Sequence, residues 1–196
     1  IEFYDQYKPY FTMKKPFKVT IHMVSSIDGF IAKPDNSISW FETASRYDKG
    51  VEADDVDSFL KEIDCYVMGA RTYELAMALS KDHGWAYGDK PTIVLSHSEK
   101  QEERSHIKFY SGKLQDLVLN QLKPKYSNVW VVGGSEVTRD FLQLQLADEI
   151  RVSLLPIILG EGLPYFNEIG IEVLLNLLDT RAYKNGMVEL CYEILK

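Results

Sequence analysis

The sequence predicts an α/β fold with a mostly parallel central sheet, helices on both faces of that sheet and antiparallel strands at the C-terminal end. Short apolar and β-branched stretches alternate with stretches whose apolar residues recur at helical spacing, which is the pattern of strand–helix–strand units. The stretches 147–159 and 187–195 are both extended, and the second alternates apolar with polar residues. They are expected to pair antiparallel at the edge of the sheet.

The elements follow one another along the chain with few interruptions. The first predicted strand covers 17–24, and a helix over 54–63 places Val56, Phe59, Leu60 and Ile63 on one apolar face. The remaining predictions are strands at 65–69, 91–96, 107–110 and 128–134, and helices at 70–80, 114–122 and around 137–144. No repeat or linker interrupts the series, which favours one domain at 17–196 preceded by an N-terminal extension at 1–16.

Composition narrows the classes of function. The chain has 196 residues and a net charge of -7, which disfavours nucleic-acid binding because such binding needs dense Lys and Arg. Cys65 and Cys191 lie in apolar stretches, so we expect two buried thiols, and no spacing typical of a metal site occurs. The sequence shows no membrane-length apolar run and no signal peptide, so we expect a cytoplasmic protein without a membrane partner.

Two strand-to-helix junctions carry the chemistry. VWVVGGSEV ends a buried strand in Gly133 and Gly134, and a helix starts at once. A residue without a side chain lets a phosphate approach the backbone, and the helix start offers free N–H groups and a positive dipole end. Ser135 is a candidate cap and phosphate donor. The alternative is an ordinary turn.

The second junction repeats this logic in VMGARTYE, where Arg71 offers a forked donor set and Thr72 a hydroxyl. A third strand, TIVLS, ends next to His97. Taken singly, these residues are equally compatible with a surface arginine, a capping threonine and a solvated histidine.

Together and in this order, VMGARTYE, TIVLS and VWVVGG followed by LADEI resemble the dihydrofolate reductase-like superfamily. SSIDGFIA and LPIILGEGLPYF resemble its branch that contains the C-terminal reductase domain of the bifunctional riboflavin-biosynthesis deaminase/reductase. The resemblance runs from about Phe17 to the C-terminus. It implies a dihydrofolate reductase-like fold, NADPH as cofactor, a small-molecule substrate and a homodimer that pairs through sheet-edge and C-terminal segments.

The resemblance also implies a cofactor site. The diphosphate and adenosine would lie near three loops, and the nicotinamide would lie near the first strand. The residues implied for the diphosphate and adenosine are Gly69, Arg71, Thr72, Leu95, Ser96, His97, Gly133, Gly134, Ser135, Glu136 and Val137. The residues implied for the nicotinamide are Val24, Ile31 and Ala32. The family often has an arginine after the VLS strand for the 2′-phosphate of NADPH, whereas this chain has His97. Arg71, Lys100 or Arg104 could compensate.

For the substrate, the resemblance implies Ser26, Phe30 and Trp40 as pocket residues and Asp28 and Asp57 as candidate catalytic groups. Asp28 could instead be a turn residue, Trp40 a core aromatic and Asp57 a solvated residue of an acidic helix start. Two positions depart from the riboflavin reductases: Phe30 replaces a lysine and Val132 a glutamate. Both replacements are apolar, which favours a different acceptor, such as a small conjugated or heteroaromatic compound.

The sequence therefore predicts an NADPH-dependent reductase that transfers hydride to an unidentified small acceptor. A protein that binds the dinucleotide without catalysis is the alternative, since no single residue stands out as the acid. A structural module with an empty cleft is a third possibility.

Overall fold

The computed structural model describes residues 16–42, 45–52, 59–97 and 104–196. Its main sheet has eight strands in the order β5-β4-β3-β6-β1-β7-β10-β9, and β2 pairs with β8 in a small second sheet. The strands are β1 (Lys18–Ser26), β2 (Phe30–Ala32), β3 (Cys65–Gly69), β4 (Thr92–Leu95), β5 (Ile107–Tyr110), β6 (Asn128–Gly133), β7 (Glu149–Leu155), β8 (Leu163–Pro164), β9 (Leu175–Ala182) and β10 (Val188–Ile194).

The described helices lie between these strands. They are α1 (Ala70–His83), α2 (Leu114–Asp116), which continues as a π-helix over Leu117–Leu122, and α3 (Ser135–Gln143). A 3-10 turn covers Ser39–Phe41, and residues 59–62 are helical. Residues 53–58, which hold most of the helix predicted at 54–63, lie outside the described residues.

In sheet order, the neighbouring strands β5, β4, β3, β6, β1 and β7 run parallel, whereas β10 pairs antiparallel with both β7 and β9. The predicted mostly parallel sheet with antiparallel C-terminal strands is therefore confirmed. β3 is buried on both faces, as expected for a central parallel strand. Because parallel strands point the same way, the carboxyl ends of β1, β3, β4 and β6 meet at one edge of the sheet.

Helices cover both faces of this sheet. One core cluster joins Val19, Val67 and Val131 to Phe141 of α3 and to the π-helix. The other joins Tyr66 and Met68 to Tyr73 of α1 and, through the partly buried Phe59, to the helical residues 59–62. Cys65 and Cys191 are free, buried thiols, as predicted.

The sequence did not predict β9, β2 or β8. β9 is an edge strand whose residues are mostly exposed, so it lacks the alternation that marks a half-buried strand. β2 and β8 have only three and two residues. In the described part of the chain, no helix combines the length and the apolar content needed to cross a bilayer.

Candidate functional site

The sheet register brings the two predicted junctions side by side. β6 lies between β1 and β3, Met68 pairs with Gly133, and Gly69 pairs with Leu95 of β4. A Cβ atom on Gly69 would lie 3.1 Å from Val137 Cγ2 and 3.8 Å from the carbonyl oxygen of Gly133. The segments around Gly69 and Gly133, 64 residues apart in sequence, therefore form one surface.

The three glycines at this surface differ in whether the local structure requires a residue without a side chain. Gly133 has a φ of +112°, which disfavours any side chain, and a Cβ there would collide with Met23 Sδ. A Cβ on Gly69 would crowd Val137. Gly134 has a φ of -77°, and a Cβ there would meet only Thr72 Oγ1 at 3.6 Å and Ile31 Cδ1 at 3.8 Å, both ordinary van der Waals distances. Neither backbone strain nor crowding by the described residues requires glycine at 134.

Both helices start at this surface without a side-chain cap. The N-cap residue of α1 is Gly69 and that of α3 is Gly134, and neither helix has a capping side-chain hydrogen bond. Backbone N–H groups in a first helical turn have no intrahelical acceptor, and the positive ends of the two helix dipoles add to their effect. The arrangement suits an anion. The Gly133–Gly134 peptide bond is cis.

Ser135 does not cap α3, contrary to the sequence prediction. Its hydroxyl donates to the carbonyl oxygen of Pro164 in β8, and the residue is buried. The cap position falls one residue earlier, at Gly134. The Ser135 side chain therefore ties the start of α3 to the C-terminal loop.

Charged side chains also meet across the two junctions. Arg71 Nη2 of α1 lies 2.8 Å from Glu136 Oε1 of α3, and both side chains are exposed. Arg71 and Thr72 thus lie in the first turn of α1, opposite Gly134 and Glu136 in the first turn of α3. The predicted diphosphate residues of both helices are brought together here.

The turn after β1 is organised by Asp28. Its Oδ1 accepts a 2.6 Å hydrogen bond from Ser26 Oγ and one of 3.1 Å from the Leu159 N–H, and its Oδ2 accepts one of 2.7 Å from the Gly160 N–H. Ser26 Oγ in turn accepts from the Phe30 N–H. These bonds lower the pKa of Asp28 to about 2, with the Ser26 bond contributing most. Asp28 is therefore ionised at neutral pH and clasps the 159–160 loop to the turn.

The residues predicted beside the nicotinamide follow this turn. Ile31 lies against the open side of Gly134, and Ala32 is buried where β2 pairs with Leu163. Val24 is the last half-buried position of β1 on the face that also carries His22. The segment LPIILGEGLPYF thus lies next to the predicted site, anchored through Asp28, Ser135 and β2.

The predicted substrate residues are less completely assembled. Phe30 pairs with Pro164 at the start of β2. Trp40 is buried in the 3-10 turn, and its buried Nε1 donor has no hydrogen-bond partner among the described residues. Asp57 lies outside the described residues, so its role stays a prediction.

At the end of β4, Leu95 and Ser96 are half-buried and His97 is exposed. Of the cations considered as partners for the 2′-phosphate, Lys100 lies outside the described residues. Arg104 precedes β5, at the opposite edge of the sheet, and its guanidinium lies 4.9 Å from the Trp85 ring centroid. Arg104 therefore lies away from the end of β4, where the resemblance places the 2′-phosphate.

Sequence reasoning missed a buried polar cluster on β1, β7 and β10. His22 Nε2 lies 2.9 Å from Ser153 Oγ and 3.7 Å from Glu189 Oε2, while Arg151 Nη1 pairs with Glu189 Oε1 at 2.9 Å. Burial lowers the pKa of His22 to about 3, and the Arg151 guanidinium adds to the effect. Since Arg151 engages the Glu189 carboxylate, the imidazole stays neutral.

This cluster borders the predicted nicotinamide side, because the register places Val24 beside Ser153. The His22 ring stacks on Trp130 at 5.0 Å, and the Trp130 indole N–H donates to the His22 carbonyl oxygen. The only signal of this cluster in the sequence was the presence of polar residues at inward positions of apolar strands. That signal identifies candidates but not their pairing, which depends on the register of β7 and β10.

Comparison with known proteins identifies the family of the chain. The model of the RibD C-terminal domain family matches residues 17–189. Two uncharacterized proteins of Bacillus subtilis (strain 168) are similar along their length. YwjB is 29% identical over 166 residues, covering 85% of this chain and 92% of YwjB, and YyaP is 25% identical over 186 residues, covering 91% and 95%.

Solved structures share the fold. A candidate riboflavin biosynthesis protein from Shewanella sp. PV-4 superposes with a TM-score of 0.78 at 24% identity, covering 92% of this chain and all of that one. The diaminohydroxyphosphoribosylaminopyrimidine deaminase/5-amino-6-(5-phosphoribosylamino)uracil reductase of Thermotoga maritima gives 0.65 at 18% identity, with this chain spanning 57% of that protein. These likenesses confirm the predicted dihydrofolate reductase-like fold, and the family match over 17–189 shows that the chain belongs to the RibD C-terminal domain family.

Proposed function

We propose that the chain is an NADPH-dependent reductase that transfers hydride to a small heteroaromatic or conjugated acceptor. The observation that carries the proposal is the open side of Gly134. The described residues do not themselves require glycine there, yet it lies between two uncapped helix starts and beside Arg71. A ligand phosphate that approaches the backbone would account for the missing side chain. The family supports a reductase-like role.

The residues of the two junctions fit a dinucleotide diphosphate. The first-turn N–H groups of α1 and α3 would bind its oxygens, together with the Thr72 hydroxyl and the Arg71 guanidinium. Leu95, Ser96 and His97 at the end of β4 would lie near the adenosine ribose. Val24, Ile31 and Ala32 would form the apolar wall beside the nicotinamide. When bound, the cofactor supplies the hydride.

The protein contributes positioning to this reaction. Asp28 holds the loop that contains Leu159 and Gly160, and β8 covers the start of α3 through Ser135. Because the pKa of Asp28 is lowered to about 2, this carboxylate carries no proton at neutral pH, and we assign the proton to solvent. Asp28 is then a positioning residue.

The acceptor is expected to be apolar at the places where the riboflavin reductases carry charge. Phe30 and Val132 offer no partner for a ribose phosphate, whose negative charge would lose a charge-assisted bond at each position. A flat, conjugated and uncharged compound fits the apolar side chains of Phe30 and Val132 better.

Titration with NADPH tests the binding step apart from the chemistry. We expect saturable quenching of tryptophan fluorescence. Oxidation of NADPH at 340 nm with a panel of heteroaromatic and conjugated acceptors then tests the reductase. Binding without oxidation by any acceptor would favour the non-catalytic dinucleotide-binding protein. The absence of binding of both NADPH and NADH would exclude both proposals.

We also propose that two copies associate through β9. This strand ends the sheet, and among the described residues its outer edge carries no further strand. Leu175, Leu177 and Leu178 are exposed along it, which is unusual for an unprotected edge. Asp179 and Arg181 flank Thr180 symmetrically, so a two-fold axis at Thr180 would place each acid opposite the partner's base.

A further inference from the structure

The ion pair between Arg71 and Glu136 connects the two helix starts. Arg71 Nη2 lies 2.8 Å from Glu136 Oε1, with 71% of the arginine side chain and 59% of the glutamate side chain exposed. An exposed pair of this kind contributes little to stability, because solvent screens it and both side chains lose freedom. The fold therefore does not depend on it, and a ligand could exchange one partner at low cost.

The Glu136 carboxylate lies where an anionic ligand group would be attracted. It contacts the guanidinium that is predicted to bind phosphate, and it belongs to the first turn of α3, where the helix dipole favours negative charge. A phosphate at the junction would use the same two attractions. It would also meet the Glu136 charge as a like charge at short range, which is unfavourable.

We infer that Glu136 is an intramolecular competitor of the dinucleotide phosphates for Arg71, and that it sets the affinity of the site. The inference rests on the proposed function, since it concerns the same ligand. Glu136 would not hold the diphosphate through its side chain. Only its backbone N–H, in the first turn of α3, would do so, and its carboxylate must leave Arg71 when the ligand binds.

A double-mutant cycle on the dissociation constant for NADPH tests this inference, with tryptophan fluorescence as the readout. We expect Glu136→Gln to tighten NADPH binding about three- to tenfold, because it releases Arg71 and removes a like charge. Arg71→Met should weaken binding about tenfold, because a charge-assisted bond is lost. In the Arg71→Met background the gain from Glu136→Gln should shrink, since no guanidinium remains to be released.

Asp82→Asn is the matched control. It makes the same change in net charge in the last turns of α1, 11 residues from Arg71 and thus about 16 Å away along the helix. It should leave the dissociation constant within twofold. A merely structural role of Glu136 would weaken binding on substitution, so tightening distinguishes the two roles.

The outcomes separate this inference from the proposed function. If the wild-type protein binds NADPH and Glu136→Gln binds it equally or more weakly, the competitor role is refuted while the dinucleotide site stands. If Asp82→Asn tightens binding as much as Glu136→Gln, the effect is one of net charge and the inference is also refuted. If neither the wild type nor Glu136→Gln binds NADPH or NADH, the proposed function itself fails.

Discussion

Thr72 and Gly134 face each other across the two helix starts, with Thr72 Oγ1 3.6 Å from the position that a Cβ on Gly134 would take. A methyl group at 134 is therefore compatible with the fold but occupies the open side of the junction. We expect Gly134→Ala to fold with a nearly unchanged melting temperature and to weaken NADPH binding at least about tenfold, equivalent to about 1.4 kcal/mol. Fluorescence titration and thermal unfolding measure the two effects.

Gly133→Ala is the contrasting variant. Gly133 has a φ of +112°, and a Cβ there would collide with Met23 Sδ, so the variant should lose more than about 1 kcal/mol of unfolding free energy. If Gly134→Ala is instead the variant that unfolds, or if it binds NADPH like the wild type, the open side of Gly134 is not a ligand surface.

The contribution of the Asp28 carboxylate to stability should depend on pH. Since its pKa is lowered to about 2 from 3.8, its stabilising contribution is present above about pH 4 and is lost as the pH falls toward 2. We expect Asp28→Asn to lower stability at neutral pH, and the gap to the wild type in urea midpoint to narrow between pH 4 and 2. Hydrogen exchange of the Leu159 and Gly160 amides should speed up in the variant.

Asp35→Asn is the control for this prediction. Asp35 accepts a hydrogen bond from the Ser37 N–H in its own turn, so the variant should leave the exchange of residues 159 and 160 unchanged. A gap between Asp28→Asn and the wild type that stays constant down to pH 2 would show that the carboxylate charge does not hold the loop.

The meeting of the two junctions could be predicted from the sequence, and the pairing of their side chains could not. Gly69 and Gly133 each end a strand before a helix, and parallel strands bring such ends to one edge. The relative rotation of α1 and α3 decides that Arg71 contacts Glu136, and sequence spacing does not contain it. Ser135 had the residue type of a cap, but its hydroxyl found the Pro164 carbonyl, a partner 29 residues away.

The buried polar cluster shows the same limit for strands. His22, Ser153 and Glu189 belong to strands far apart in sequence, and only the register of β1, β7 and β10 makes them neighbours. β9 could not be predicted because exposed edge residues are under no requirement to alternate. The assignment of a dinucleotide to the site remains a prediction from the resemblance, supported by the local geometry at Gly134.

His22 should make stability depend on pH at higher pH values than Asp28 does. Its pKa falls from 6.5 in the unfolded chain to about 3 in the fold, so the unfolded state binds the proton first as the pH drops. Stability should then decrease from about pH 6.5 toward pH 3, by at most about 1.4 kcal/mol per pH unit. Arg151 opposes a charged imidazole, and Glu189 is engaged by Arg151.

Urea unfolding of His22→Gln against the wild type measures this contribution. The variant should show a flatter profile between pH 6.5 and 4, whereas His83→Gln, at the C-terminal end of α1, should follow the wild type. If His22→Gln keeps the full wild-type slope, another group carries the acid sensitivity.

The β9 edge offers a matched pair of leucines for testing the homodimer. Leu177 on β9 is 52% exposed and Leu119 on the π-helix is 53% exposed, so a lysine at either place costs the isolated chain about the same. In a two-fold assembly centred on Thr180, position 177 lies within the paired edge, and a lysine there removes an apolar contact and places a charge on the edge, which opposes edge-to-edge pairing. We expect light scattering to give the mass of two chains for the wild type and for Leu119→Lys, and of one chain for Leu177→Lys. A monomeric wild type would refute the pairing outright. A dimer that survives Leu177→Lys would move the interface away from β9, because a lysine on an edge strand opposes edge-to-edge pairing.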